Sequence, residues 1–152
     1  MLRKIILPNL QDMPSDNLRV GFDLVQISRI AESIETFGDQ FRQKIFTADE
    51  LAYAMSGEGL CAERLTARFA AKEAVIKALQ LTHEGVNWRD IEVCKLRSGD
   101  CSLALHGHVA DLAATMGVVS LALSLSHDGD YAGAFVMASL RIMDSDQNIN
   151  RE

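Results

Sequence analysis

The sequence predicts an α+β fold, a mostly antiparallel sheet packed against one long helix and several shorter ones. Three observations point to it. Two pairs of alternating apolar segments flank short turn-forming runs, Arg97-Ser98-Gly99-Asp100 and His127-Asp128-Gly129-Asp130, which are hairpin signals. An alanine-rich stretch from Arg68 to Leu79, "RFAAKEAVIKAL", repeats its large apolar residues at helical spacing. Strands and helices also come in blocks, unlike the strict alternation of a parallel α/β sheet.

The first element, residues 20–27, is an apolar run of strand length. Period-2 geometry places Gly21, Asp23, Val25 and Ile27 on one face and Val20, Phe22, Leu24 and Gln26 on the other. Ser28 is placed to cap a helix that runs to about Phe37 and ends at Gly38. Thr47 followed three residues later by Glu50 is a capping box opening a second helix, which Gly57 and Gly59 break. The long helix spans about 60–81. Residues 90–96 and 101–107 form the first hairpin, and a helix from residue 108 stops at Gly117. Residues 118–126 and 131–140 form the second hairpin. The 152 residues thus divide into an N-terminal extension (1–19), one domain (20–140) and a polar tail (141–152), with no internal repeat.

Hydrophobic residues make up 48% of the chain, enough for a single buried core and too many for a disordered protein. A net charge of −6 argues against a general nucleic-acid binder, although it leaves room for a local basic patch. No apolar stretch is long enough to span a bilayer, and Pro8 with the polar run after it spoils a signal-peptide reading. Cys61, Cys94 and Cys101 show neither CxxC nor metal-ligand spacing and read as reduced thiols of a cytoplasmic protein.

Several charges stand in awkward places. Asp23 is the only charge in its apolar strand, and a buried carboxylate needs a partner or a metal. On spacing alone a strand-end pairing with Arg29, or a helix cap, is the simpler account. On the long helix, Leu65, Phe69, Ile76 and Leu79 form a large apolar stripe. Ala67, Ala71, Ala74 and Ala78 gather on roughly the opposite side. Glu73 and Lys77 lie in the angle between those surfaces. They fit either an ordinary i,i+4 surface pair or a metal-binding carboxylate with a phosphate-binding cation one turn on. Arg68 and Lys72 add positive charge to the same helix. His127 ends a strand at a turn, where a hydrogen-bonding role is the simplest one. His83, His106 and His108 receive no role.

Three segments, "VGFDLVQISRI", "RFAAKEAVIKAL" and "SLSHDGDYAGAFV", together resemble in order and spacing the motifs of the holo-acyl-carrier-protein synthases, the small bacterial phosphopantetheinyl transferases. The resemblance spans about residues 20–140. It implies transfer of the phosphopantetheine group of coenzyme A to a serine of an apo acyl carrier protein, with release of adenosine 3′,5′-bisphosphate. It implies magnesium as the cofactor, with manganese as the alternative ion. By this resemblance Asp23 and Glu73 are the metal ligands, and Lys77 and His127 join them as catalytic residues near the phosphates. Arg68, with Lys72 as a further contact, falls where coenzyme A's phosphates are held, and Arg29 falls where the carrier protein's acidic face is met. A homotrimer with active sites between subunits is also implied.

The chain departs from the family pattern at Gln26, at Gln80-Leu81-Thr82-His83 and at Ser98-Gly99-Asp100, and its first helix carries Glu32 and Glu35. These departures motivate a second reading, a catalytically weak relative that binds coenzyme A or a carrier protein as a structural or regulatory partner.

Overall fold

The computed structural model describes residues 18–59 and 61–141. Strand β1 (Leu18–Gln26) runs directly into helix α1 (Ile27–Ile45), followed by α2 (Ala48–Ala54) and the long helix α3 (Ala62–Ala78). A 3-10 turn (Trp88–Asp90) leads into the hairpin β2 (Ile91–Lys95) and β3 (Cys101–Leu105). Helix α4 (Gly107–Met116) and a second hairpin, β4 (Val118–Asp128) and β5 (Tyr131–Leu140), complete the chain. β1 starts two residues before the expected domain boundary. The rest of the expected extension and nearly all of the expected tail lie outside the described residues.

The expected antiparallel architecture is present as two sheets. β5 lies in the centre of a three-stranded sheet of order β1-β5-β4, antiparallel to both neighbours, and β2-β3 form a separate two-stranded sheet. α3 packs on the three-stranded sheet. Small residues make this close packing possible: Ala70, Ala71, Ala74 and Ala78 on the helix face Ala134, Val136 and Ala138 of β5, all of them buried. The tightest point is Gly21, where any Cβ would stand 1.9 Å from the Ala74 carbonyl oxygen. Only glycine allows the strand and helix backbones to approach this far. Ile91, Val93, Leu79, Leu81 and Val109 extend this core under the small sheet and α4. A second cluster of Ile45, Phe46, Ala54 and Leu65 joins α1, α2 and α3, flanked by Phe69 stacked on Trp88 at 5.2 Å. Each fully buried large side chain contributes about 1.5–3 kcal/mol to folding.

Three local expectations are corrected. Gly38 does not end the first helix; it kinks it (φ 53°, ψ −131°), and the helix resumes to Ile45 because Phe41 and Ile45 pack into the second cluster. Ser28 is not the cap of that helix. The N-cap is Gln26, and the orphan N–H of Ser28 donates to the Asp130 carboxylate at 2.9 Å while the Ser28 hydroxyl donates to its other oxygen at 2.6 Å. The long helix is shorter than the expected 60–81, because Gln80 adopts φ 57° and a Schellman closure forms. Leu81 N–H donates to Ile76 C=O, and Gln80 N–H to Lys77 C=O. The capping box at Thr47 and Glu50 forms as expected.

Candidate active site

Asp23 sits two residues after Gly21 on the same face of β1, so the close approach of strand and helix aims its carboxylate at the last turns of α3. There Lys77 Nζ donates to Asp23 Oδ1 at 2.7 Å and to the Phe22 carbonyl at 3.1 Å. The Asp23 side chain is 16% exposed and that of Lys77 52%, so the pair lies at the rim of the core. Lys77 therefore reaches across to the strand rather than back to Glu73, and Asp23 does not pair with Arg29. Glu73 forms no ion pair among the described residues. Burial, and next the charge of Asp23, push its carboxyl above the ordinary glutamate range, with Lys77 opposing. The Asp23 and Glu73 carboxylates feel each other's charge, and the single ammonium of Lys77 beside Asp23 leaves an excess of negative charge. That arrangement suits a hard divalent cation, which takes one or two protein carboxylates and fills its remaining positions with water and phosphate oxygens.

Arg68 and His127 border a different feature, a cavity of about 540 Å³ between the first half of α3, the β2–β3 turn and β4. Arg68 is only 3% exposed. Its guanidinium lies 4.2 Å from the centroid of the Tyr53 ring, one Nη1 donates to the Arg64 carbonyl at 3.2 Å, and its Nε has no partner among the described residues. Desolvation holds its pKa below the ordinary arginine value. His127 stands at the mouth of the cavity, with Nε2 3.4 Å from Glu63 Oε1.

Lys72 corrects the expectation of a phosphate contact. It is fully buried; its ammonium pairs with Glu50 at 2.8 Å and donates to the carbonyls of Trp88 and Ile91. Glu50 is equally buried and also accepts from the N–H groups of Thr47 and Val93. An ammonium so enclosed ties α2, α3 and β2 together and has nothing left to offer a ligand. Arg29 lies exposed on the first turn of α1 and forms no ion pair among the described residues. Tyr53, Arg64 and Lys95 share the cavity with Arg68, and no motif in the sequence marks them. The one available signal was the i,i+4 spacing of Arg64 and Arg68.

The family model of the 4′-phosphopantetheinyl transferase superfamily matches residues 19–136, nearly the whole described fold. Fold and site together thus define a phosphopantetheinyl transferase. A holo-[acyl-carrier-protein] synthase of Gloeobacter violaceus is 42% identical over 118 residues, covering 78% of this chain and 89% of the relative. One of Solibacter usitatus is 43% identical, covering 77% and 94%. Among solved structures, the Chronobacterium ammoniagenes ACPS-CoA complex superposes with a TM-score of 0.73 at 38% identity, over 82% of this chain and 98% of that one. The chain belongs to the holo-acyl-carrier-protein synthase family and is an enzyme of that kind.

Proposed function

We propose that the protein transfers the phosphopantetheine group of coenzyme A to a serine of an apo acyl carrier protein and releases adenosine 3′,5′-bisphosphate. The observation that carries this reading is the juxtaposition of Asp23, Glu73 and Lys77, two carboxylates and one ammonium held at the junction of β1 and α3. Asp23 and Glu73 hold magnesium, or manganese in its place, which when bound neutralises the phosphate oxygens. Lys77 stabilises the charge that develops as the serine oxygen bonds to phosphorus and the adenosine bisphosphate departs. The work of the protein is positioning and charge neutralisation, as in other phosphoryl-type transfers. Arg68 and His127 hold the nucleotide-side phosphates, and Arg29 meets the acidic face of the carrier.

We also propose a homotrimer whose active sites lie between subunits, working in the cytoplasm. Two observations support this. The outer face of the three-stranded sheet carries Val20, Phe22, Leu24, Phe135 and Met137, all exposed and contiguous through the pairs Val20–Met137 and Phe22–Phe135. An apolar patch of this kind marks an interaction surface. Second, Arg68 and Lys77 are nine residues apart on α3 and so point about 180° away from each other. One bound molecule reaches both kinds of group more readily when one subunit supplies the cavity bordered by Arg68 and a neighbour the carboxylates. Among the described residues no helix is long and apolar enough to cross a membrane.

The test is incubation of folded protein with coenzyme A, magnesium and apo carrier proteins, followed by mass spectrometry. The expected result is a carrier heavier by one phosphopantetheine group. Binding of coenzyme A with no mass shift on any carrier would support the catalytically weak alternative instead.

A further inference from the structure

Three cations surround one aromatic ring beside the cavity. The guanidinium carbons of Arg68 and Arg64 lie 4.2 and 4.7 Å from the Tyr53 ring centroid, and Lys95 Nζ lies at 5.8 Å. All four residues line the same cavity. None of the three cations forms an ion pair with a carboxylate among the described residues. The two acids in the cavity wall are engaged elsewhere, Glu63 with His127 and Asp100 with the Ser98 hydroxyl. Like charges brought together without counter-ions repel, so something other than acid pairing must hold them. Arg64 is pinned from behind by the Tyr53 carbonyl and the Ser56 hydroxyl, each at 3.0 Å, and Lys95 by the Gly99 carbonyl. The negative face of the Tyr53 ring is the one element common to all three.

We propose that Tyr53 is a positioning residue: its ring assembles Arg64, Arg68 and Lys95 into a preformed cradle for the phosphate monoester on the ribose of coenzyme A. The inference rests on the reading of Arg68 as a phosphate contact of this transferase. It adds the group that orders the cradle and the two cations that complete it. A monoester dianion is the matching ligand, because it brings two charges and three acceptor oxygens to three cations. The Nε of Arg68 is buried and has no partner among the described residues, so the protein leaves part of that guanidinium's hydrogen-bonding capacity unused. The Tyr53 hydroxyl makes no hydrogen bond among the described residues, so the ring face rather than the oxygen is the working part.

The test is calorimetric binding of adenosine 3′,5′-bisphosphate and of adenosine 5′-monophosphate to the full chain with magnesium, alongside KM and kcat for coenzyme A. Tyr53→Leu is expected to weaken bisphosphate binding roughly tenfold, the factor set by losing desolvated cation–ring contacts. It should raise KM for coenzyme A by a similar factor with kcat nearly unchanged and leave monophosphate binding as it was. Tyr53→Phe should match the native protein. Pentafluorophenylalanine at position 53 keeps the ring's shape while reversing its charge distribution, and it should behave like leucine even if Tyr53→Leu itself folds poorly. A flat series, an equal loss for both nucleotides, or a fluorinated ring as good as phenylalanine would overturn the proposal. Failure of the native protein to transfer any group would count against the enzyme reading alone, because the binding comparison still stands.

Discussion

At the scale of single residues, Glu73, the proposed metal ligand, is held in the fold at a cost to stability. Its carboxyl is pushed up by burial and by Asp23, so the metal-free fold holds its ionised form less well than the unfolded chain does. A raised folded-state pKa gives a stabilising contribution that is complete in acid and is lost as pH rises through that pKa. Glu73→Gln is therefore expected to abolish transfer yet raise the melting temperature of metal-free protein by roughly a degree at pH 7. The gain should vanish at pH values below the ordinary glutamate range, where both states carry the proton. Calorimetric melts at the two pH values check it. If Glu73 holds the cation as proposed, transfer is expected to fall along an acid limb as that carboxylate takes up a proton. More magnesium should move that limb to lower pH, because the cation and the proton compete for one carboxylate, and a pH–rate profile at two magnesium concentrations would show it. The awkward placement of Asp23, Glu73 and Lys77 was legible from the charge pattern, and the fold brings the strand and helix that carry them together. Lys72 was not legible, because the same spacing serves an exposed lysine equally well. Its fate is decided by Glu50, 22 residues earlier, whose carboxylate was visible only as a helix cap.

At the scale of elements, the buried Lys72–Glu50 pair is the joint between α2, α3 and β2. Removing one member leaves the other charged and enclosed, so Lys72→Met is expected to cost about 3–5 kcal/mol in urea unfolding. Adding Glu50→Leu should recover only part of this, since the Thr47 and Val93 N–H groups then lose their acceptor. Both hairpins, the capping box and the stop at Gly117 were readable because their signals are local. The continuation of α1 past Gly38 was not. There the burial of Phe41 and Ile45 outweighs a glycine that on its own would end a helix. The cap supplied by Asp130 was equally hidden, since that carboxylate lies 102 residues from the N–H group it satisfies. Gln80 is a further mismatch of local preference and structure. It holds a left-handed position that suits glycine, and the closure of Leu81 over Ile76 keeps it there.

At the scale of the molecule, the outer sheet face is an apolar surface that one chain leaves exposed. Phe22 is 58% exposed and directly opposite Phe135, in a row that Val20 and Met137 extend. Light scattering on a sizing column is expected to give three times the mass of the chain. Phe22→Asp with Phe135→Asp should reduce it to the monomer mass and remove transfer activity together, whereas a monomeric native protein would rule the assembly out. The alternation that exposes this face was readable along β1, but which face would be covered by α3 depended on Gly21, a residue without a side chain to read.

That glycine has a consequence for the site itself. Because Gly21 meets Ala74 backbone to backbone, the gap between the strand that carries Asp23 and the helix that carries Glu73 is set without any side chain between them. A core repacked by larger or smaller neighbours has no rotamer through which to widen or narrow it. The main chain acts as a fixed gauge block, and the two carboxylates are mounted on its opposite jaws.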